Sequence, residues 1–266
     1  MLPYPDIDPV IVAFGPFKVR WYGLMYVLGF GATYFLVRYQ LARFHWREMA
    51  ERFDNLNLYL IIGVIAGGRL GYVLFYQPAY YLRHPLEIFA TWQGGMSFHG
   101  GCLGVIIAGL LYCRYHRLSF WRGADLYVVT VPIGLGLGRI GNFINGELFG
   151  RTSDVPWAMI FPDGGPLPRH PSQLYEALLE GALLFCILWS LKHIPWRDEP
   201  SRFWPHGSML ALFLILYGVV RIVAEFFREP DPYLGFVVQG ITMGQLLSMV
   251  MIAAGLLLWR LRMGKS

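Results

Sequence analysis

This sequence is short of charge. Asp, Glu, Lys and Arg make up 15% of its 266 residues, against about 25% in a typical soluble domain. The deficit falls in long apolar runs, and 56% of the chain is hydrophobic. That argues against an ordinary water-soluble globule and makes the bilayer the expected solvent. Cysteine is scarce as well. Cys102, Cys113 and Cys186 all lie in apolar segments and form no CxxC pair. A disulfide framework or thiolate metal site is therefore disfavoured, and three buried, inert thiols are expected.

Several catalytic signatures are missing. There is no HExxH pair, no GxSxG elbow and no Walker-type phosphate loop. No cluster of His, Cys and carboxylate has metal-ligand spacing. The expectation is no ATP hydrolysis, no tightly bound metal and no cofactor. A net charge of +5 raises nucleic acid as a partner. No basic cluster is interleaved with exposed aromatics, however, and Lys and Arg collect on the cytoplasmic loops of membrane proteins. Nucleic-acid binding is not expected.

What the chain does have is a series of apolar segments. They run from about Trp21 to Val37, Leu56 to Phe75, His99 to Tyr112, Ala124 to Leu137, Leu174 to Leu191, Met209 to Phe227 and Ile241 to Trp259. A spanning helix needs roughly 20 mostly apolar residues. The expected fold class is all-α: one polytopic membrane domain over residues 1–266, with about seven transmembrane helices and outer-face loops forming a small head. The third and fourth segments are short, so broken or re-entrant ends are expected there. Arg139 to Pro171 reads as a long polar, Gly- and Pro-rich stretch following the fourth span. Met1 to Arg20 carries Asp6 and Asp8 and lacks the positive-then-apolar order of a signal peptide, so the first span is expected to direct insertion.

Loop charge sets the orientation. Arg38, Arg43, Arg47, Arg52, Arg114, Arg117, Arg122, Lys192, Arg197, Arg202, Arg260, Arg262 and Lys265 sit at one set of alternate ends, thirteen in all. The opposite ends hold seven: Lys18, Arg20, Arg83, Arg139, Arg151, Arg169 and Arg228. The positive-inside rule then puts the N-terminus outside and the C-terminal Ser266 in the cytoplasm. The loops Phe75 to His99, Arg139 to Pro171 and Phe227 to Ile241 share the outer face. Trp92, Trp157, Phe161 and Tyr233 there are candidates for an interfacial aromatic belt.

Three constellations carry possible chemistry. In Gly94-Gly95-Met96-Ser97-Phe98-His99-Gly100-Gly101, glycines permit tight turns and close approach, and His99 can exchange protons near neutral pH. It reads equally as a histidine bonded to a carbonyl at a helix end. In the run Gly138 to Arg151, Arg139, Asn142, Asn145, Glu147, Gly150 and Arg151 follow an apolar segment directly. An arginine there is costly unless paired or lining a polar cavity. Its fork fits phosphate bidentately, and a Gly-rich turn adds backbone donors. The architectural alternative is an Arg139–Glu147 salt bridge in a re-entrant loop. Within the sixth segment Tyr217, Arg221 and Glu225 fall four apart on one helical face, as a substrate path or as a structural ion pair.

Weaker signals are Arg69 in a mid-span Gly-Gly-Arg-Leu-Gly, and Ser172 as a cap with Glu176 and Glu180 on one face. Structural support is the expectation for both. Tyr22 fits either the belt or a site hydroxyl. Buried Arg and Glu also suit an anionic-lipid transporter, but no inverted repeat is visible. An intramembrane protease lacks a Ser/His or Asp/Asp site.

The stretch Arg139-Ile140-Gly141-Asn142-Phe143-Ile144-Asn145-Gly146-Glu147 resembles the signature of the prolipoprotein diacylglyceryl transferases of bacterial inner membranes. The run around His99, His170-Pro171-Ser172-Gln173 and Tyr217/Arg221/Glu225 reinforce the likeness, which extends from Trp21 to the last helix. Phe149 stands where that family commonly has tryptophan. The resemblance implies transfer of the diacylglyceryl group of phosphatidylglycerol to the lipobox cysteine of a prolipoprotein, giving a thioether and glycerol phosphate. It implies a site facing the periplasm, with phosphatidylglycerol, lipobox-bearing signal peptides and membrane lipid as partners. His99, Arg139, Arg221 and Tyr22 become candidate catalytic groups. Arg139, Asn142, Asn145, Glu147, Gly150, Tyr217 and Glu225 become candidate substrate-binding groups.

Overall fold

The computed structural model describes residues 2–5, 7–15, 17–197, 203–230, 236–238 and 240–263. Asp6, Arg202, Tyr233, Lys265 and Ser266, which entered the charge and belt arguments above, lie outside the described residues. Among the described residues six helices are long and apolar enough to cross a membrane. They are Phe53–Phe75, Phe98–Tyr115, Phe120–Ile144, Ser172–Trp196, Ser208–Glu225 and Met243–Arg262. Trp21–Arg43 matches the longest unbroken of these at 23 residues but is more polar, carrying Arg38, Gln40 and Arg43 near its end. A multi-pass membrane protein of about seven helices accounts for this set. Outward-facing apolar side chains, such as Leu103, Ile106, Ile107 and Leu111, are exposed along the spans, which is the surface that lipid requires.

The chain divides into two compact units, Arg38–Gly123 and the remainder, Met1–Val37 with Ala124–Ser266. In the first unit, Phe53–Phe75 packs antiparallel on Phe98–Tyr115 through small residues. Gly63 faces Ala108, Gly67 faces Gly104 and Gly71 faces Gly100, and a Cβ on any of the three would come within 2.8 Å of its partner. Lipid offers no hydrophobic drive for helix association, so close backbone approach supplies the attraction. The buried Arg69 is satisfied without a carboxylate. It donates to Ile88 O at 2.8 Å, Glu87 O at 2.7 Å, Gly94 O at 2.6 Å and Gly95 O at 3.2 Å, and lies over the Tyr81 ring.

In the second unit a core of Val128, Val129, Leu184, Leu188, Met209 and Phe213 joins three spans. The fourth span is broken in its middle, into Phe120–Val128 and Val131–Ile144, with Pro132 in the first turn of the second piece. The sequence expectation places breaks at the ends of the third and fourth spans instead, and the third, Phe98–Tyr115, is continuous. The expected end at Leu137 is wrong: the helix runs on to Ile144 and Arg139 lies inside it. Gly141 falls in the stretch expected to be a Gly-rich loop, and Gly136 just before it. Here they are points of close approach, to Gly181 and to the Tyr22 ring, a use of glycine common in membrane helices.

The polar head after this helix has little regular structure and is organised around Phe161. That side chain is 1% exposed, stacks on Phe149 and meets Tyr4 and Phe143. It is the head's core and not a belt residue, because three aromatic rings close over it. Trp92 and Trp157 are exposed. The chain also forms a small antiparallel hairpin, Val10–Phe14 with Phe17–Arg20, which helical periodicity gave no reason to expect. Of the three cysteines only Cys113 is buried; Cys102 and Cys186 lie on outer faces of spans, since an apolar segment presents residues to lipid as readily as to the core.

Candidate active site

The site is built where Val131–Ile144, the Ser172–Leu183 stretch and Ser208–Glu225 meet. Arg139 binds Glu176 Oε2 through Nε at 2.7 Å and approaches Glu180 Oε2 through Nη2 at 3.4 Å. Arg221 Nη1 reaches Glu176 Oε2 at 3.2 Å and Glu180 Oε1 at 3.0 Å, and its Nη2 pairs with Glu225. Arg228 Nη1 completes the set at 3.3 Å from Glu176 Oε1. Three guanidiniums thus share three carboxylates. Such pairing lowers the cost of keeping charge out of water, and the cluster is neutral overall.

The glutamates are sunk while the arginines keep a face open. Glu176 and Glu180 side chains are 1% and 0% exposed, whereas Arg139, Arg221 and Arg228 retain 18%, 12% and 19%. Arg139 Nη1 and Arg228 Nη2 are committed to no described residue. The arrangement is a set of donors held from behind by acids.

Local sequence explains the placement. Ala177–Leu183 is a π-helical turn, a feature frequent at functional sites. Glu176 and Glu180 flank its start and both reach Arg139 and Arg221. Gly181 lets this turn press on Gly136, where a Cβ would meet the opposing Cα at 2.7 Å. Arg221 and Glu225 pair within their own helix, as spacing predicted. Tyr217, one turn earlier, is half-buried, stacks on Phe213 and stands within electrostatic reach of Glu180 and Arg221.

The signature stretch closes one side. Asn142 and Asn145 both donate to Glu147 Oε1, at 2.9 and 3.1 Å. The Arg139–Glu147 bridge considered from sequence therefore does not form. Arg139 sits mid-helix, where its fork meets Glu176 and Glu180 instead. Nor does a Gly-rich turn supply free donors beside Arg139, since helical hydrogen bonds use those N–H groups. The turn comes later, at Gly146 and Leu148, both with positive φ. A leucine there is a strained position, held by Ser172 Oγ donating to Leu148 O at 3.2 Å and by Gln173 Nε2 donating to Glu147 O at 2.7 Å. Ser172 is thus a brace for this loop and no helix cap, because Pro171 occupies the cap position.

Gly150 pairs with Arg228 in an antiparallel bridge, and a Cβ there would press within 2.7 Å of His170. His170 Nδ1 lies 3.1 Å from Tyr175 Oη, to which Trp157 Nε1 donates at 2.6 Å. Burial holds the His170 pKa below the usual histidine value. Tyr22 Oη bonds to Tyr26 Oη at 3.2 Å, and its ring covers Gly141, where a Cβ would come within 2.8 Å of ring carbon Cδ2. Tyr26 in turn feels the charge of Arg139.

His99 belongs to the Arg38–Gly123 unit. It is an exposed residue in the first turn of Phe98–Tyr115, capped by Ser97 Oγ accepting from Gly100 N at 3.2 Å. The preceding Gly94 and Gly95 have φ of 84° and 76°, which favour glycine, and Arg69 holds both carbonyls. Among the described residues His99 makes no hydrogen bond to a carbonyl; its ring meets Phe98 edge-on at 5.8 Å. The structure thus unites Arg139, Arg221, Glu225, Tyr217, Tyr22, Asn142, Asn145, Glu147 and Gly150 within one unit, with His99 in the other. Sequence reasoning missed Glu176, Glu180 and Arg228 as site residues. Two glutamates four apart in an apolar span were the available signal, because membrane carboxylates seek partners.

Comparison with known proteins places these residues in a family. The family model described as "Prolipoprotein diacylglyceryl transferase" matches residues 9–261. A protein of Desulfotalea psychrophila named phosphatidylglycerol–prolipoprotein diacylglyceryl transferase is 62% identical over 96% of this chain and 93% of its own length. Proteins of the same name from Rhodospirillum rubrum and Pseudomonas paraeruginosa are 54% and 51% identical, over 97% and 98% of this chain and 93% and 97% of theirs.

Proposed function

The chain belongs to the prolipoprotein diacylglyceryl transferase family, and on that premise we propose how its residues divide the reaction. The enzyme moves the diacylglyceryl group of phosphatidylglycerol to a prolipoprotein, the first step of lipoprotein maturation. The acceptor is the thiol of the lipobox cysteine. Sulfur forms a bond to the glyceryl carbon, the carbon–oxygen bond to phosphate breaks, and glycerol phosphate leaves. The leaving group gains negative charge as that bond breaks, and the thiol proton passes to a base.

The buried cluster of Arg139, Arg221 and Arg228 with Glu176, Glu180 and Glu225 carries this reading. Donors already oriented by carboxylates meet developing charge without reorganising, which is the most effective form of electrostatic catalysis. Arg139 and Arg221 offer their open faces to the phosphate. Asn142, Asn145, Glu147 and Gly150 shape the headgroup side, and Tyr217 and Tyr22 bound the lipid side. Thiolate is the nucleophile, and a free thiol has a pKa of about 8.5. His99 is the proposed base: exposed, carried on a rigid turn, with a ring free of competing hydrogen bonds among the described residues.

The whole chain acts as one domain in the bacterial inner membrane, N-terminus periplasmic and C-terminus cytoplasmic, on the strength of the loop charges. A reporter fused to the C-terminus and active only in the periplasm would overturn that orientation. The activity is tested by incubating purified protein with phosphatidylglycerol and a lipobox peptide and weighing the peptide. A gain of one diacylglyceryl group on the cysteine is expected. An unmodified peptide from folded protein would refute the reading.

A further inference from the structure

Glu225 has surroundings that its pairing with Arg221 does not require. Its second oxygen, Oε2, accepts from Thr242 Oγ1 at 2.9 Å in a buried contact. Thr242 opens the 20-residue helix Met243–Arg262 with a capping box. Thr242 Oγ1 accepts from Gln245 N at 3.2 Å, and Gln245 Oε1 accepts from Thr242 N at 3.1 Å. The hydroxyl oxygen thus already serves as acceptor, and its one proton points to Glu225. The same carboxylate packs against Gly244, where a Cβ would come within 2.6 Å of Glu225 Cδ. That position is in the helix's first turn, whose partial positive charge favours an anion.

We propose that Thr242 and Gly244 are positioning residues for Arg221, acting through Glu225. Thr242 fixes one carboxylate oxygen by donation, Gly244 leaves room for the group, and the remaining oxygen aims the guanidinium. A cap alone explains neither feature. Capping needs only the bond between Thr242 and Gln245, and it gives no reason for an acid from a neighbouring helix to fill the space above Gly244. This inference rests on the reading that Arg221 acts on the lipid phosphate.

The test uses purified full-length protein, phosphatidylglycerol in mixed micelles and a lipobox peptide. It records turnover per folded molecule together with the thermal midpoint. Thr242→Val removes the donor and should lower kcat about 10-fold, the scale of one hydrogen bond to a charged group. Thr242→Ser keeps the hydroxyl and should recover the rate to within about twofold. Gly244→Ala spares the capping box and favours helix, yet should also slow turnover about 10-fold by displacing Glu225. It keeps the test decisive if Thr242→Val folds poorly. In a Glu225→Gln background Thr242→Val should add nothing, because its effect runs through the lost carboxylate. Wild-type turnover per folded molecule in Thr242→Val and Gly244→Ala, or additive losses in the double variant, would overturn the proposal. Normal turnover in Arg221→Lys would instead refute the phosphate reading, so the two failures are distinct.

Discussion

Arg69 and Arg139 are both arginines in apolar helices, and the two units of the molecule keep them there by opposite means. Backbone carbonyls of residues 87–95 surround Arg69, which is 3% exposed. Its hydrogen-bonding capacity is nearly spent on shaping a turn. Acids hold Arg139 from one side only, and it keeps an open amino group. The glycine-packed unit around Arg69 owes its form to close backbone contact. The unit around Arg139 stores charge that can be turned toward a ligand. A buried arginine is therefore no sign of function by itself; what matters is whether its donors are exhausted.

The largest effect tests whether the glycine-packed unit contributes chemistry. If His99 is the base, His99→Gln should slow the chemical step by about 10²–10⁴-fold. The defect should shrink as pH approaches the thiol value near 8.5, where thiolate forms unaided. A rate ratio independent of pH would reduce that unit to a scaffold. Next comes the storage of charge. Glu180→Gln leaves the arginines under-neutralised and should cost about 3–5 kcal/mol of stability, seen as a lower thermal midpoint in detergent. Gly104→Ala inserts a methyl against Gly67 and Gly63 and should cost less, about 1–3 kcal/mol. The reverse order would undo the contrast between the units.

Much of this plan was legible in sequence. Apolar length gave the spans, and spacing of four gave the Arg221–Glu225 pair. Glycines in a membrane helix misled, since the expected end at Leu137 falls just before Gly138 and Gly141, and the helix runs through both, with Gly141 packed on the Tyr22 ring. Phe161 looked like an interfacial aromatic because its burial depends on Tyr4 and Phe149, which are distant in sequence. The spacing of Glu176 and Glu180 in an apolar span was a local signal that they need partners, but that those partners are Arg139 and Arg221 is a long-range fact visible only where three helices meet.

Smaller effects separate the units further. Arg69→Lys loses the planar fork and should lower yield and thermal stability, with turnover per folded molecule falling less than in Arg139→Lys. Comparable losses of turnover would mean Arg69 is also catalytic. The smallest expected effect concerns the head. Burial depresses the His170 pKa, so the unfolded chain binds this proton more readily than the folded one. Its contribution to stability is present in full above about pH 6.5 and is lost as pH falls below that value. His170→Gln should flatten this part of the thermal stability profile, and an unchanged profile would show that the head opens to solvent at His170.

The most direct measurement is single-turnover transfer by Arg139→Lys and Arg221→Lys, with phosphatidylglycerol saturating and folded protein matched to wild type. If the guanidinium forks act on the departing phosphate, the chemical step slows by at least about 10²-fold in each variant, because lysine cannot reproduce a bidentate, acid-braced donor. A step within about threefold of wild type in either folded variant would contradict that role.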